Sequence, residues 1–260
     1  MELIDTHCHL TFEQLAWEID EVVERSIAAG VIGWITVGTD SQEDRKAVEL
    51  AERFENMYAA VGVHPHEAKN FTGETVAELK ELAGGQKVIA IGETGLDFHY
   101  NFSNQSAQRR AFAAQLKIAR ELHLPVIIHC REAFADTMDI LEQFTDFEGR
   151  LRAVVFHCFS GTVAQAKTIL DHGFYISLTG VVTFKNAGEI RRAAKIIPTD
   201  RLMLETDCPY MSPEPMRKRK INEPALMIQT ANHVAELKEM YPADFAKAVT
   251  ATSKSFFGLG

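Results

Sequence analysis

Imidazole and carboxylate side chains recur in this chain at the ends of short apolar runs. The first run, Leu3-Ile4-Asp5-Thr6-His7-Cys8-His9, closes on two histidines two residues apart. On a strand that spacing puts both rings on one face, where both can reach one cation. Ile89-Ala90-Ile91-Gly92-Glu93 ends on a carboxylate. Val126-Ile127-Ile128-His129 and Val154-Val155-Phe156-His157 end on imidazoles, and Leu202-Met203-Leu204-Glu205-Thr206-Asp207 ends on an acid. Mixed imidazole and carboxylate ligands suit Zn²⁺, Mn²⁺, Fe²⁺ or Ni²⁺ better than Ca²⁺, which prefers oxygen alone. The set His7, His9, His129, His157, Glu93 and Asp207 is larger than one catalytic ion uses. Two ions about 3.5–4 Å apart would use it fully, with one carboxylate bridging. Such a pair activates water and stabilises a leaving oxygen, which is chemistry for hydrolysing phosphate esters or amides.

These residues need a scaffold that brings the ends of many strands to one rim. Strand-type runs recur at 2–7, 31–38, 58–64, 87–93, 125–130, 153–158, 174–179 and 202–207. Stretches of helical period lie between them. Glu43–Phe54 is one, with Ser41 as its expected N-cap. Gln105–Leu122 is another, with Phe112, Leu116, Ala119 and Leu122 on one face. Thr162 and Gln165 have capping-box spacing, and further helices are expected near 224–239 and 243–256. Strand and helix alternating eight times predict an α/β fold, a parallel TIM (β/α)8 barrel whose catalytic residues sit at the C-terminal ends of the strands. No Gly-x-Gly-x-x-Gly follows the first strand, which removes the main signature of a dinucleotide fold. Gly62-Val63-His64-Pro65-His66 ends the third strand, so His64 is expected to face the same rim. His66 lies in the loop beyond it, and His99 can line the pocket. Asp5 shares the His7/His9 face one step deeper, either orienting an imidazole or filling the barrel interior.

The 260 residues match the roughly 250 of a single barrel, so residues 1–260 are expected to form one domain. The chain enters a strand at once, with no leader-like segment, and its apolar runs fall far short of a membrane span of about 20 residues. A net charge of −9 argues against broad adhesion to polyanions but leaves room for a local phosphate site. Cys8, Cys130, Cys158 and Cys208 each follow a candidate ligand directly. Alternation points them away from the metals, as small packing residues with free thiols. That fits a reducing, cytoplasmic setting.

Six motifs in chain order complete the reading. Asp5-Thr6-His7-Cys8-His9-Leu10, Gly62-Val63-His64-Pro65-His66, Ile91-Gly92-Glu93-Thr94-Gly95-Leu96-Asp97, Pro125-Val126-Ile127-Ile128-His129-Cys130-Arg131, His157-Cys158-Phe159-Ser160-Gly161 and Leu204-Glu205-Thr206-Asp207-Cys208-Pro209-Tyr210 together resemble the TatD family of metal-dependent deoxyribonucleases. The resemblance runs from residue 2 to about 225. It implies a barrel of the amidohydrolase-like group. By position, His7, His9, Glu93 and Asp207 would hold one metal. Glu93, His129 and His157 would hold the second, with Glu93 as the bridge. Asp207 would also orient or deprotonate the attacking water, and His64 would lie close to the substrate phosphate. Glu205 would support the site from Asp207's face, on the substrate side. The resemblance further implies two divalent ions (Zn, Mn or Mg) and 3′→5′ exonuclease action on single-stranded DNA or an oligonucleotide. No partner protein is implied.

One segment departs from the family. A loop like Arg-Gly-Lys-Arg-Asn-Glu-Pro is usual after the eighth strand, and here Arg217-Lys218-Arg219-Lys220-Ile221-Asn222-Glu223-Pro224 stands in its place. The basic run, Arg217 and Lys220 in particular, is expected to clamp substrate phosphate. The plain alternative is a solvated loop with Asn222 capping the next helix. Two rival functions remain open at this point. A small-molecule amidohydrolase on the same barrel often bridges its metals with a modified lysine where this chain has Glu93. A non-catalytic metal-binding scaffold would tolerate loss of a ligand, and none is lost.

Overall fold

A computed structural model describes residues 1–144 and 151–260. The strands are β1 (Leu3–Cys8), β2 (Val31–Val37), β3 (Met57–Val61), β4 (Val88–Asp97), β5 (Val126–Arg131), β6 (Val154–Phe156), β7 (Tyr175–Leu178) and β8 (Leu202–Leu204). They form one sheet in the order β1 to β8. The pairs β1–β2, β3–β4, β4–β5, β5–β6 and β7–β8 all run parallel. Thr6 Oγ1 on β1 donates to Leu204 O on β8 at 3.0 Å, and just beyond β8 Asp207 N donates to His7 O at 2.9 Å. Eight parallel strands in this order, with β1 and the end of β8 bonded to each other, make a nearly closed (β/α)8 barrel.

The chain packs as two compact bodies, residues 1–36 with 158–260, and residues 37–157. In the first, β1, β7 and β8 supply Leu3, Ile176, Leu178 and Met203, all fully buried. Asp5 ties β1 to the turn after β8, accepting the backbone N–H of Thr206 at 2.9 Å and its hydroxyl at 2.5 Å. The second body is built on β3 to β6, whose Val, Ile and Ala runs are buried on both faces, as a parallel sheet requires.

Helix Gln105–Leu122 packs Phe112, Leu116 and Ala119 into the second body. Burying each large side chain stabilises by about 1.5–3 kcal/mol. Asn104 caps this helix through Ala107 N, and His123 ends it in a left-handed conformation. The helix also positions the site. Gln115 accepts from Val63 N at 2.7 Å and donates to Val63 O at 3.1 Å, fixing the strand end just before His64. The helix expected at Glu43–Phe54 spans Ser41–Arg53, and its cap is Asp40 rather than Ser41. The Asp40 carboxylate accepts from both Gln42 N and Glu43 N, and a carboxylate is a stronger acceptor than a hydroxyl at the positive helix end. The Thr162/Gln165 capping box forms as expected, and the C-terminal helices run Met227–Leu237 and Pro242–Phe257.

Candidate metal centre

In the first body, the end of β1 meets the turn after β8. His7 Nε2 and His9 Nε2 lie 3.3 Å apart, and Asp207 Oδ1 lies 3.8 Å from the first and 3.5 Å from the second. Metal–nitrogen and metal–oxygen bonds of 2.0–2.2 Å in a tetrahedron separate neighbouring donors by about 3.3–3.6 Å. The three donors therefore fit a first-row divalent cation in both chemistry and spacing. Local structure holds them there. His9 N donates to Cys208 O at 2.8 Å, and the Phe12 ring stacks on the His9 ring at 4.7 Å. Asp207 has φ +52°, a left-handed backbone that Asp tolerates better than most residues. This turn brings its carboxylate to the two histidines.

In the second body, Glu93 is the hub. Its Oε1 lies 2.6 Å from His129 Nδ1, 2.7 Å from His157 Nε2 and 3.5 Å from His64 Nε2. Burial opposes the Glu93 charge, but His157, His64 and His129 outweigh it and hold the carboxyl well below the usual range. The other nitrogen of His129, Nε2, lies 3.1 Å from Asp97 Oδ2, so both ring nitrogens face carboxylates. Burial pulls the His129 imidazole down, and its bonds to Asp97 and Glu93 reverse this, leaving it above its ordinary value. These imidazole and carboxylate donors suit the same cations as the first set, and His129 must shed a proton to become a ligand. His64 differs from the others. Its Nδ1 accepts the His66 backbone N–H at 3.1 Å, which leaves the ring proton on Nε2, facing Glu93. It is thus a hydrogen-bond donor rather than a metal ligand in this state.

Asp97 is a site residue that the sequence reading misses. Gly92 and Gly95 weaken a strand pattern, so the run looks complete at Glu93, yet β4 continues to Asp97. Alternation from Glu93 puts residues 95 and 97 on the same face, which is the signal that finds Asp97. Gly95 sits at φ +144°, and a Cβ there would collide with the His129 carbonyl oxygen, so glycine lets β4 and β5 close up at the site. Asp97 also accepts from His66 Nε2 at 3.1 Å and from the backbone N–H groups of His99 and Tyr100.

Of the other expected site residues, Glu205 lies beside the first set, with a carboxylate oxygen within 4.8 Å of a His7 ring nitrogen. Glu205 is buried and accepts Cys158 N at 2.6 Å. The basic run is exposed. The Arg217 guanidinium rests 4.1 Å from the Phe184 ring centroid, and Arg219 pairs with Glu223 at 3.0 Å. Glu223 is also held by Arg25 at 2.7 Å. Asn222 does not cap the following helix. Its side chain donates to Thr206 O at 3.0 Å and Tyr210 O at 2.7 Å, closing the loop between them. The four cysteines are free thiols, Cys8 and Cys208 fully buried, Cys130 and Cys158 partly so.

A (β/α)8 barrel with clustered imidazoles and carboxylates at its strand ends defines a metal-dependent hydrolase. The sequence matches the family described as TatD related DNase over residues 4–258, and the chain belongs to that family. It is 41% identical over 257 residues to the uncharacterized metal-dependent hydrolase YabD of Bacillus subtilis, covering 98% of each chain. It is 37% identical to the 3′-5′ ssDNA/RNA exonuclease TatD of Escherichia coli, covering 99% of each. The crystal structure of the TatD homolog YjjV of E. coli superposes with a TM-score of 0.90 at 28% identity, covering 99% of this chain and 98% of that one. No helix among the described residues is long and apolar enough to cross a membrane.

Proposed function

We propose that this chain is a two-metal phosphodiesterase that removes nucleotides stepwise from the 3′ end of single-stranded DNA or a related oligonucleotide. The observation that carries the reading is the pair of donor sets, His7/His9/Asp207 and Glu93/His129/His157, each converging within one body. Bound ions would lower the pKa of a water and stabilise the developing charge on phosphate and leaving oxygen. The chain supplies the rest. Asp207 takes the proton of the attacking water, with His7 and His9 holding its orientation. His64 donates its Nε2 proton to a phosphate oxygen, a role its tautomer supports. Asp97 orients His129, and Glu93 would hold a metal with His129 and His157, as the family resemblance implies. Exonuclease polarity, strandedness and the nucleic-acid substrate itself rest on the activity for which the TatD relatives are named and on that resemblance. Free thiols throughout fit work in a reducing cytosol.

A 5′-labelled single strand should give a ladder of stepwise products, while closed circular DNA should persist. Efficient cutting of the circle contradicts the exonuclease reading. Turnover of cyclic amides with none of oligonucleotides would move the protein to the small-molecule amidohydrolases.

A further inference from the structure

Beyond Asp97, the loop after β4 carries two large aromatic side chains that burial does not explain. Tyr100 is 48% exposed and Phe102 61% exposed. Their rings are stacked, 10° from parallel with centroids 5.5 Å apart. The Arg131 guanidinium, from the end of β5, lies 4.6 Å from the Tyr100 ring centroid. His66 stands edge-on to both rings, 4.7 Å from Phe102 and 5.5 Å from Tyr100. His66 in turn bonds Asp97, which bonds His129, so the aromatic pair is joined to the metal-ligand set through two hydrogen bonds.

The loop is braced at both ends. Gln108 is buried and accepts Asp97 N at 2.8 Å while donating to Asp97 O at 2.9 Å and Ser103 O at 2.8 Å. Ser103 Oγ donates to His66 O at 2.6 Å and accepts Lys69 N at 3.0 Å. Both ends of the segment that presents Tyr100 and Phe102 are therefore fixed. Exposed apolar rings held rigid beside a reactive centre, with a guanidinium on one face, match what single-stranded nucleic-acid sites use: flat π surfaces for bases and a cation for the backbone.

We infer that Tyr100 and Phe102, with Arg131, form a stacking platform for an unpaired nucleobase next to the cleaved phosphodiester bond. This rests on the phosphodiesterase reading above and deepens it. The platform recognises the π face of any base, so it confers little sequence preference. It does confer strandedness, because a base must leave its duplex stack before a protein ring can cover it.

The test compares oligonucleotides carrying normal and abasic residues at the 3′-terminal positions. With the wild-type protein, removing the bases should raise KM about tenfold, the typical effect of one missing base–aromatic stack. In Tyr100→Ala/Phe102→Ala that penalty should vanish, and the preference for single over double strands should shrink with it. Phe102→Tyr, which keeps the ring, should keep the penalty. Metal-free protein should quench the fluorescence of a terminal 2-aminopurine on binding, and the double variant should not. An unchanged abasic penalty and unchanged quenching in the double variant overturn the platform. Wild-type protein that neither binds nor cuts any oligonucleotide overturns the phosphodiesterase reading as well, so the two failures are told apart.

Discussion

The two donor sets are built from the same side chains and hold them differently. In His7/His9/Asp207, the donor atoms stand 3.3–3.8 Å apart, the spacing of ligands around a cation. In the Glu93 set, His129 and His157 close to 2.6 and 2.7 Å from one carboxylate oxygen, the spacing of charge-assisted hydrogen bonds. The first set is a cradle in which a cation can sit with little rearrangement. The second is a network held by protons, and a cation must displace at least one of them. Preorganisation and proton affinity are thus divided between the two, and the division should be visible in how each set responds to mutation and pH.

The largest effect is expected at Asp207. Asp207→Asn keeps the shape of the turn but removes the charge that faces both histidines and, on the proposed mechanism, the group that takes the water proton. Turnover should fall by about 10²–10⁴-fold from the missing acid–base help alone. Zinc content by elemental analysis should drop from about two equivalents toward one, with the Glu93 set still loaded. Near-normal kcat in this variant would assign water activation to another residue. Loss of both equivalents would mean that the sets are not separable as described.

A smaller effect, of defined sign, concerns protons. His129 has its folded-state pKa raised above the unfolded value, so the stability it adds is complete below about pH 6.5 and is lost as pH rises through the folded value. Metal-free protein should therefore melt at a lower temperature as pH is raised from about 6 to about 8, and His129→Gln should flatten that slope. Because the same proton must leave before a cation binds, the rise in Tm produced by zinc should grow over the same interval. A flat profile for metal-free protein would show that the second set carries no proton the first lacks.

The smallest effect is expected in the basic loop of the first body. Replacing Arg217 and Lys220 with Ala should raise KM for oligonucleotides several-fold. It should also flatten the dependence on salt, by about 0.7 in log–log slope for each phosphate of a single strand that the variant no longer neutralises. A model ester with one phosphate should be hydrolysed much as before. An unchanged KM and slope would make the run a solvated loop and leave substrate capture to the second body alone.

Much of this architecture is legible in the order of residues. Apolar runs of strand length ending in His7, His9, Glu93, His129, His157 and Asp207 carry their own phase, since alternation tells which side chains share a face. What escapes is set by neighbours distant in sequence or by residues with two readings. Asp97 is hidden by two glycines that look like the end of a strand and are in fact close approaches of β4 to β5. Tyr100 and Phe102 have the composition of core, yet they lie exposed on a loop whose ends Gln108 and Ser103 hold from a distance in sequence. Ser41 and Asp40 are both capping types, and the choice depends on which carboxylate or hydroxyl reaches two N–H groups at once. Arg219 is drawn from the basic run by Glu223 four residues on, and Glu223 is itself fixed by Arg25 from a distant helix, a second pairing that no local pattern contains.

The bonds of Asn222 separate an exposed run of surface chain from the turn that carries Asp207. With its side chain on Thr206 O and Tyr210 O and its backbone N–H on Pro209 O at 2.9 Å, Asn222 fastens both ends of the loop to the turn that carries Asp207. Ser212 and Glu214 are held as well, through Arg219 O at 2.9 Å and Thr183 Oγ1 at 2.8 Å, so the part open to exchange is the exposed run 215–221. The missing glycine and Ile221 are changes of that kind. That run is a cassette, a place where inheritance can try new surface chemistry without touching the acid beside it, and grafting a relative's loop between Glu214 and Asn222 is the natural way to exchange one surface for another.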